Sequence, residues 1–341
     1  MNNGDVLILR GQEVKALLDG REAELMSLVG RAYIAHGNGN SSLPHSTFLR
    51  FPDDPGSRVI ALPAYLGEEF ELAGVKWIAS FPANLDKGLD RASGILILSS
   101  AQTGRPSAIL DASIINAKRT AASAVLAAKT LQGERETNSA GLIGCGVINF
   151  EIARFILATL PGVRRFILFD LNAHNADQFK KRCNESFDDI EIDIAPDIET
   201  VFRDCPLISF ATTAGVPYVH DLSSCTAGTI ILHVSLRDLA PEVILSCDNI
   251  VDDADHVSRA QTSIHLTEQL VGNRDFIRCP LSDILAGRSA HRKSEQGITI
   301  FSPFGLGVLD IAVGKFTAEL ARQNDIGTII TSFLPEPWAR I

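Results

Sequence analysis

From Ala140 onward, short apolar runs alternate with longer stretches of helical spacing. Residues 141–143, Gly-Leu-Ile, predict a strand and residues 148–160 a helix. Residues 165–169 predict a strand, 173–183 a helix and 190–194 another strand. Further strands are expected at 206–211, 229–234 and 249–251, the last closing on Asp252-Asp253. Such βαβα alternation implies a doubly wound parallel sheet covered by helices on both faces, a Rossmann-type α/β arrangement. Residues 1–125 follow another pattern. Two helical stretches, 12–18 and 21–36, precede extended runs at 47–51, 58–62, 74–79 and 94–98. Gln102-Thr103-Gly104-Arg105 has hairpin-turn chemistry before the run 107–110. This part reads as α+β with mixed or antiparallel pairing. An alanine-rich helix at 114–130 leads into the alternating region, and a helix at 306–321 ends the pattern. The expected division is therefore 1–125 plus 305–341 as an α+β domain and 126–304 as the parallel-sheet domain.

Composition narrows the class. Of 341 residues, 45% are hydrophobic and 21% charged, values of a globular chain. No apolar run reaches the 18 residues that a spanning helix needs. The first ten residues carry no basic region or small-residue cleavage site, so no signal peptide is expected. Thirty-one basic against 41 acidic residues give a net charge of −10. That charge disfavours nucleic acid and anionic membrane as partners. The cysteines at 145, 183, 205, 225, 247 and 279 form no CxxC pair. They read as reduced thiols, which fits a cytoplasmic setting. The eight histidines show no metal-binding spacing, and His233, after an apolar run, reads as a hydrogen-bonded core residue.

The strongest local motif is Gly144-Cys145-Gly146 between a strand and a helix, followed by Val147, Ile148 and Asn149. The first glycine permits a tight turn, and the second lets a pyrophosphate approach the backbone at the helix N-terminus. Asn149 stands where glycine or alanine is usual. Asp170, 24 residues after Gly146, ends the second strand at the spacing of the carboxylate that binds ribose hydroxyls. An acid there disfavours a 2′-phosphate, so NAD is the expected cofactor. Thr212 and Ser235, near the ends of two later strands, complete the candidate cofactor set. The plainer alternative is a glycine turn in a nucleotide-free α/β fold.

Three charged residues interrupt segments that otherwise look buried: Lys76 in 73–78, Arg119 in 115–122, and Asp238 after 231–237. A buried charge needs a partner. Either they pair within the fold or they meet a charged ligand. Asp238 falls where a strand ends, the usual place for ligands in open α/β sheets.

Lys76-Trp77, Thr103-Gly104-Arg105-Pro106, residues 118–122 (Lys-Arg-Thr-Ala-Ala), the glycine loop and Ser302-Pro303-Phe304-Gly305 occur in an order that resembles the ornithine cyclodeaminase/mu-crystallin family. The resemblance covers nearly the whole chain. It implies a substrate-binding and dimerisation domain, a Rossmann domain, a homodimer and an amino-acid substrate. It also implies that Lys76 binds substrate, that Asp238 is catalytic, and that Arg119 meets the cofactor phosphates. Phe48-Leu49-Arg50, residues 76–80, Arg91-Ala92-Ser93-Gly94 and residues 234–238 are similar to a narrower branch. Its members oxidatively split N-[(2S)-2-amino-2-carboxyethyl]-L-glutamate into L-2,3-diaminopropionate and 2-oxoglutarate with NAD, in siderophore and antibiotic pathways. Arg50 and Arg91 are then candidate carboxylate clamps. Typical cyclodeaminases have a glycine-rich stretch where this chain has Ser235-Leu236-Arg237. The other readings are an ornithine or lysine cyclodeaminase, a ketimine reductase or an alanine or opine-type dehydrogenase, and a non-enzymatic NAD-binding protein.

Overall fold

The structure, a computed structural model, describes residues 4–335, so both extremes of the expected α+β domain, 1–3 and 336–341, lie outside it. The chain divides into two compact units. The first comprises Met1–Arg21, Asn38–Arg119 and Leu306–Ile341; the second comprises Glu22–Gly37 and Thr120–Gly305. Two features of this division differ from the sequence-based boundaries. The change of unit falls inside the helix Ala112–Gln132, after Arg119. The helix Glu22–Gly37 groups with the second unit, because its apolar residues pack there. Its Tyr33 hydroxyl meets Ser123 Oγ at 2.7 Å in the interior.

The first unit is built on one sheet. Its strands are β1 (Val6–Leu9), β2 (Ser41–Ser42), β3 (Thr47–Phe51), β4 (Asp54–Leu66), β5 (Leu72–Ser80), β6 (Ala92–Ser100), β7 (Pro106–Asp111) and a last short strand, Thr328–Ile330, antiparallel to β1. Antiparallel pairing runs β7-β6-β5-β4, and β2 and β3 both pair with β4. β1 adds to β7 in parallel. The helix Gly307–Gln323 covers β4, β5 and β6. Its stripe of Val308, Leu309, Ile311, Ala312 and Val313 is buried against the sheet. Burying each such large side chain stabilises the fold by roughly 1.5–3 kcal/mol. Gly314 lets the helix come this close: a Cβ there would lie 2.3 Å from Leu96 Cδ2.

The second unit holds eight parallel strands. They are β8 (Ser139–Ile143), β9 (Arg165–Phe169), β10 (Glu191–Ile194), β11 (Leu207–Phe210), β12 (Ile230–His233), β13 (Asp248–Val251), β14 (Ile277–Pro280) and β15 (Thr299–Ser302). Their order is β10-β9-β8-β11-β12-β15-β13-β14. The central strands are buried along their whole length, as parallel strands covered on both faces must be. β14 and β15 were not expected from periodicity, nor were five short helices between 198 and 285. The strand order reverses between β8 and β11, which opens a crevice at their carboxyl ends.

One carboxylate at that end organises the turn after β15. Asp252, buried just past β13, accepts N–H bonds from Asp253 and Phe304 on Oδ1, both 2.9 Å. Gly305 N–H donates to its Oδ2 at 2.7 Å. Burial pushes its pKa up to about 6, and the amide donors pull against that rise. Asp252→Ala leaves buried donors unsatisfied and is expected to cost roughly 3 kcal/mol of stability. Chemical denaturation checks this; a midpoint equal to that of the unmodified protein would refute the role.

Candidate active site

In the second unit the nucleotide-loop residues come together at the end of β8. Gly144 has φ +90°, and a Cβ on it would lie 2.6 Å from the Ala211 carbonyl oxygen, so only glycine fits this turn. Gly146 is extended and precedes the helix Val147–Thr159. A Cβ at Gly146 would meet nothing within 4 Å, so its backbone faces open space. Gly146 and Val147 are exposed, Ile148 is half-buried, and no side chain caps the helix. Asp170, beyond β9, accepts the Cys145 N–H at 2.8 Å and the Asn172 N–H at 2.9 Å. A carboxylate beside an uncapped helix start with open backbone fits a dinucleotide: diphosphate at the amides, ribose at the acid. Cys145 supplies backbone only, because burial and then Asp170 push its thiol up to about 12. All six cysteines are free.

Asn149 explains its own departure from the usual glycine or alanine. It is fully buried, and its Nδ2 donates to the carbonyls of Ile143 at 2.9 Å and Gly144 at 2.7 Å. Its Oδ1 accepts the Ser209 hydroxyl at 2.7 Å. The side chain thus ties the glycine turn to β8 and β11.

Thr212, Ser235 and Asp238 also converge in this unit, on a single carboxylate. Asp238 is fully buried in the loop after β12. Its Oδ1 accepts from the hydroxyls of Thr212 and, at 3.1 Å, Tyr218; its Oδ2 accepts from Ser235 Oγ. His233 Nε2 lies 3.3 Å from Oδ2 and 3.2 Å from the Asp238 amide nitrogen, which donates to it. His233 Nδ1 reaches Ser302 Oγ at 3.3 Å. Burial works to raise the Asp238 pKa, but His233, Ser235 and Thr212 together hold it below the ordinary carboxylate value. The Tyr218 hydroxyl is pushed up by burial and by Asp238. Tyr218 is the exposed member of the group. Sequence reasoning missed Tyr218, since a tyrosine in a loop carries no spacing signal.

The first unit assembles the cations. Lys76 on β5 is buried, and its Nζ donates to Asp310 Oδ2 at 2.8 Å and Asn116 Oδ1 at 2.9 Å. Arg119 Nε donates to Asp310 Oδ1 at 3.1 Å and its Nη2 to Asn116 Oδ1 at 2.7 Å. Two cations therefore share one carboxylate. Burial, reinforced by Arg119 and opposed by Asp310, lowers Lys76 to about 8. Asp310 was missed, although it carried the signal that flagged Lys76: a charge inside the apolar run 306–313. Arg50 on β3 and Arg91 just before β6 lie elsewhere in the unit; Arg58 of β4 is the direct cross-strand partner of Arg50, and Ser80 links that register to Ala92, the residue after Arg91. Lys76 and Asp238 thus belong to different compact units, and each has its own partners.

Residues 8–325 match the model of the ornithine cyclodeaminase/mu-crystallin family. The chain belongs to this family. It is 25% identical over 337 residues to N-((2S)-2-amino-2-carboxyethyl)-L-glutamate dehydrogenase of Staphylococcus aureus, covering 97% of this chain and 100% of the relative. Among solved structures it is similar to the Thermococcus litoralis Δ1-pyrroline-2-carboxylate reductase in complex with NADH and L-proline. That match has a TM-score of 0.87, 25% identity and coverage of 94% and 99%. An archaeal alanine dehydrogenase dimer with bound NAD gives a TM-score of 0.85, 26% identity and coverage of 96% and 99%.

Asn149→Ala installs a residue usual at its position yet strips two carbonyls and a serine of their partner. The expected result is a loss of roughly 2 kcal/mol in stability and weaker NAD binding, read by denaturation and by calorimetry. Unchanged values for both would show that the glycine turn holds itself.

Proposed function

We propose that the protein oxidatively cleaves N-(2-amino-2-carboxyethyl)-L-glutamate to L-2,3-diaminopropionate and 2-oxoglutarate, with NAD as acceptor. The observation that carries this reading is the buried cluster in which Lys76 and Arg119 share Asp310. Its surplus positive charge suits a substrate carboxylate, and the similar dehydrogenase of S. aureus acts on a substrate with three. Bound NAD would supply the acceptor for a hydride from the glutamate α-carbon. The C–N bond becomes an imine, which water attacks; the carbon–nitrogen bond then breaks to give the ketone and the primary amine, with one proton released.

Each residue has a stated task. The backbone of Gly144, Cys145, Gly146, Val147 and Ile148 holds the diphosphate, and Asp170 binds the adenosine ribose. Arg119 lends its charge to the cofactor phosphates. Lys76 holds a substrate carboxylate, and Arg50 and Arg91 take others. Asp238 accepts a proton from the attacking water and returns it to the leaving nitrogen. Because Asp238 is fully buried, that proton travels through the hydroxyls around it, Tyr218 being the exposed one. Thr212 and Ser235 hold the carboxylate in place beside the cofactor. Such acid–base help contributes on the order of 10²–10⁴ in rate.

The same reading makes the protein a cytoplasmic homodimer that supplies diaminopropionate to siderophore or antibiotic assembly. The sheet face opposite the helix Gly307–Gln323 exposes Leu49, Tyr65, Trp77 and Ile95, an apolar patch suited to a second copy. Light scattering is expected to give a dimer; Trp77→Glu shifts it toward monomer, and a monomeric unmodified protein would contradict this assignment.

The decisive experiment offers the synthetic substrate, ornithine, lysine and alanine with NAD. NADH absorbance and mass spectrometry then identify the products. Equimolar NADH, diaminopropionate and 2-oxoglutarate are expected. Proline from ornithine without net NADH, or turnover of alanine alone, overturns the reading. Asp238→Asn is expected to lower kcat by at least about 100-fold with little change in NAD affinity. Lys76→Met raises KM as well. NAD is expected to bind well ahead of NADP, with Asp170→Ala narrowing the gap. Equal affinities in the unmodified protein would remove Asp170 from the cofactor site.

A further inference from the structure

Three arginines lie near one another in the first unit, and among the described residues no acid balances them. Arg50 lies opposite Arg58 across β3 and β4. Arg58 lies opposite Ser80 across β4 and β5. Ser80 in turn lies opposite Ala92, the residue after Arg91. The Arg91 carbonyl accepts the Phe81 N–H at 2.8 Å, which fixes the arginine beside this end of β5. Cross-strand partners share a face of the sheet, so Arg50 and Arg58 start side by side; Arg91, one residue before Ala92, lies near enough for the Arg58 charge to act on it.

Among the described residues no carboxylate pairs with Arg50, Arg58 or Arg91; Arg50 does lie 5.8 Å from the Phe48 ring centre. The Arg91 Nε and the Ser80 Oγ are both buried without a hydrogen-bond partner. Burial first, and then Arg50, lower the pKa of Arg58; burial and then Arg58 do the same to Arg91. Like charges set side by side, with buried donors left open, oppose folding. An anion seated among them removes that cost.

The sheet also sets the spacing. Lys76 and Ser80 are four residues apart on β5 and face the same side. At roughly 3.3 Å per residue their backbones are about 13 Å apart.

We propose that Arg50, Arg58 and Arg91 form a second carboxylate subsite, distinct from the Lys76 cluster, and that Arg58 at its centre selects substrates and products carrying a distal carboxylate. This inference rests on the oxidative-cleavage reading for the identity of the substrate, and assigns the distal carboxylate of its 2-oxoglutarate portion to the arginines. Alanine, ornithine and proline have no group to place there. Arg58 is a binding residue that makes no contribution to proton transfer.

The test compares 2-oxoglutarate with pyruvate, which has the same 2-oxo acid head and no distal carboxylate. Each is titrated into the NADH-loaded protein and followed by nicotinamide fluorescence. The unmodified protein is expected to bind 2-oxoglutarate at least about tenfold more tightly. Arg58→Gln erases that preference by weakening 2-oxoglutarate while leaving pyruvate within about twofold. Arg58→Lys, which keeps the charge and loses the fork, retains part of it and serves as the test if the glutamine variant does not fold. Equal losses for both ligands, or no loss, overturn the proposal, as does inorganic phosphate competing as well as glutarate does. The two readings fail separately. Without cleavage of the synthetic substrate, an Arg58-dependent preference for 2-oxoglutarate still upholds this subsite. Cleavage by Arg58→Gln at the unmodified KM refutes the subsite while the cleavage reading stands.

Discussion

A lysine and an arginine are buried around one aspartate, and much of the first unit is arranged so that this can happen. Burying an ion unpaired costs several kcal/mol, so Lys76 on β5 requires Asp310 on the covering helix. Asp310 has two oxygens, and Arg119 takes the other. Asn116 bridges the cations by accepting from both. The glycines of that helix serve the same end. Without a Cβ at Gly314 the helix lies close on Leu96, and Asp310 reaches the strand. Even so, one positive charge is left over. A core that tolerates a surplus cation at the cost of stability is prepared for an anion from outside.

The second unit has the opposite character. There a buried carboxylate, Asp238, is held by three hydroxyl donors, those of Thr212, Ser235 and Tyr218, with His233 beside it. These partners keep it ionised, and an ionised acid is the form that can accept a proton. The same donors make acceptance uphill until one of them turns away. The parallel sheet explains why these groups meet. Gly144, Asp170, Thr212, Asp238 and Asp252 all follow carboxyl ends of its strands, where side chains leave the ladder and the backbone amides of the next helix begin.

Much of this was legible in the chain. The apolar runs marked β8 to β13 because parallel strands buried on both faces need unbroken hydrophobic sequence. Gly144 and Gly146 were legible because only glycine suits a left-handed turn and an open approach. Lys76, Arg119 and Asp238 stood out as charges in apolar company. Asp310 had that same mark, yet a helix closing the chain gave no hint of what it faced. Asn149 looked like a defect in the fingerprint; only its two carbonyl partners make it a tie. Arg58 was not legible at all. In an alternating strand an arginine reads as solvent-facing, and only the register places it opposite Arg50. The helix Glu22–Gly37 was recognised as a helix but grouped with the wrong neighbours, since periodicity says which face is apolar and not what covers it.

The surplus charge at Lys76 can be measured directly. With a pKa of about 8, the amine is about half neutral at pH 8. A bound carboxylate favours the charged form and raises that pKa, so binding must take up protons. Titration of 2-oxoglutarate into the NADH complex at pH 8, in buffers of different ionisation enthalpy, counts them. The account predicts uptake of roughly half a proton, falling toward zero at pH 6.5 and absent in Lys76→Met. Binding with no proton uptake at pH 8, or with the same uptake in Lys76→Met, would contradict it.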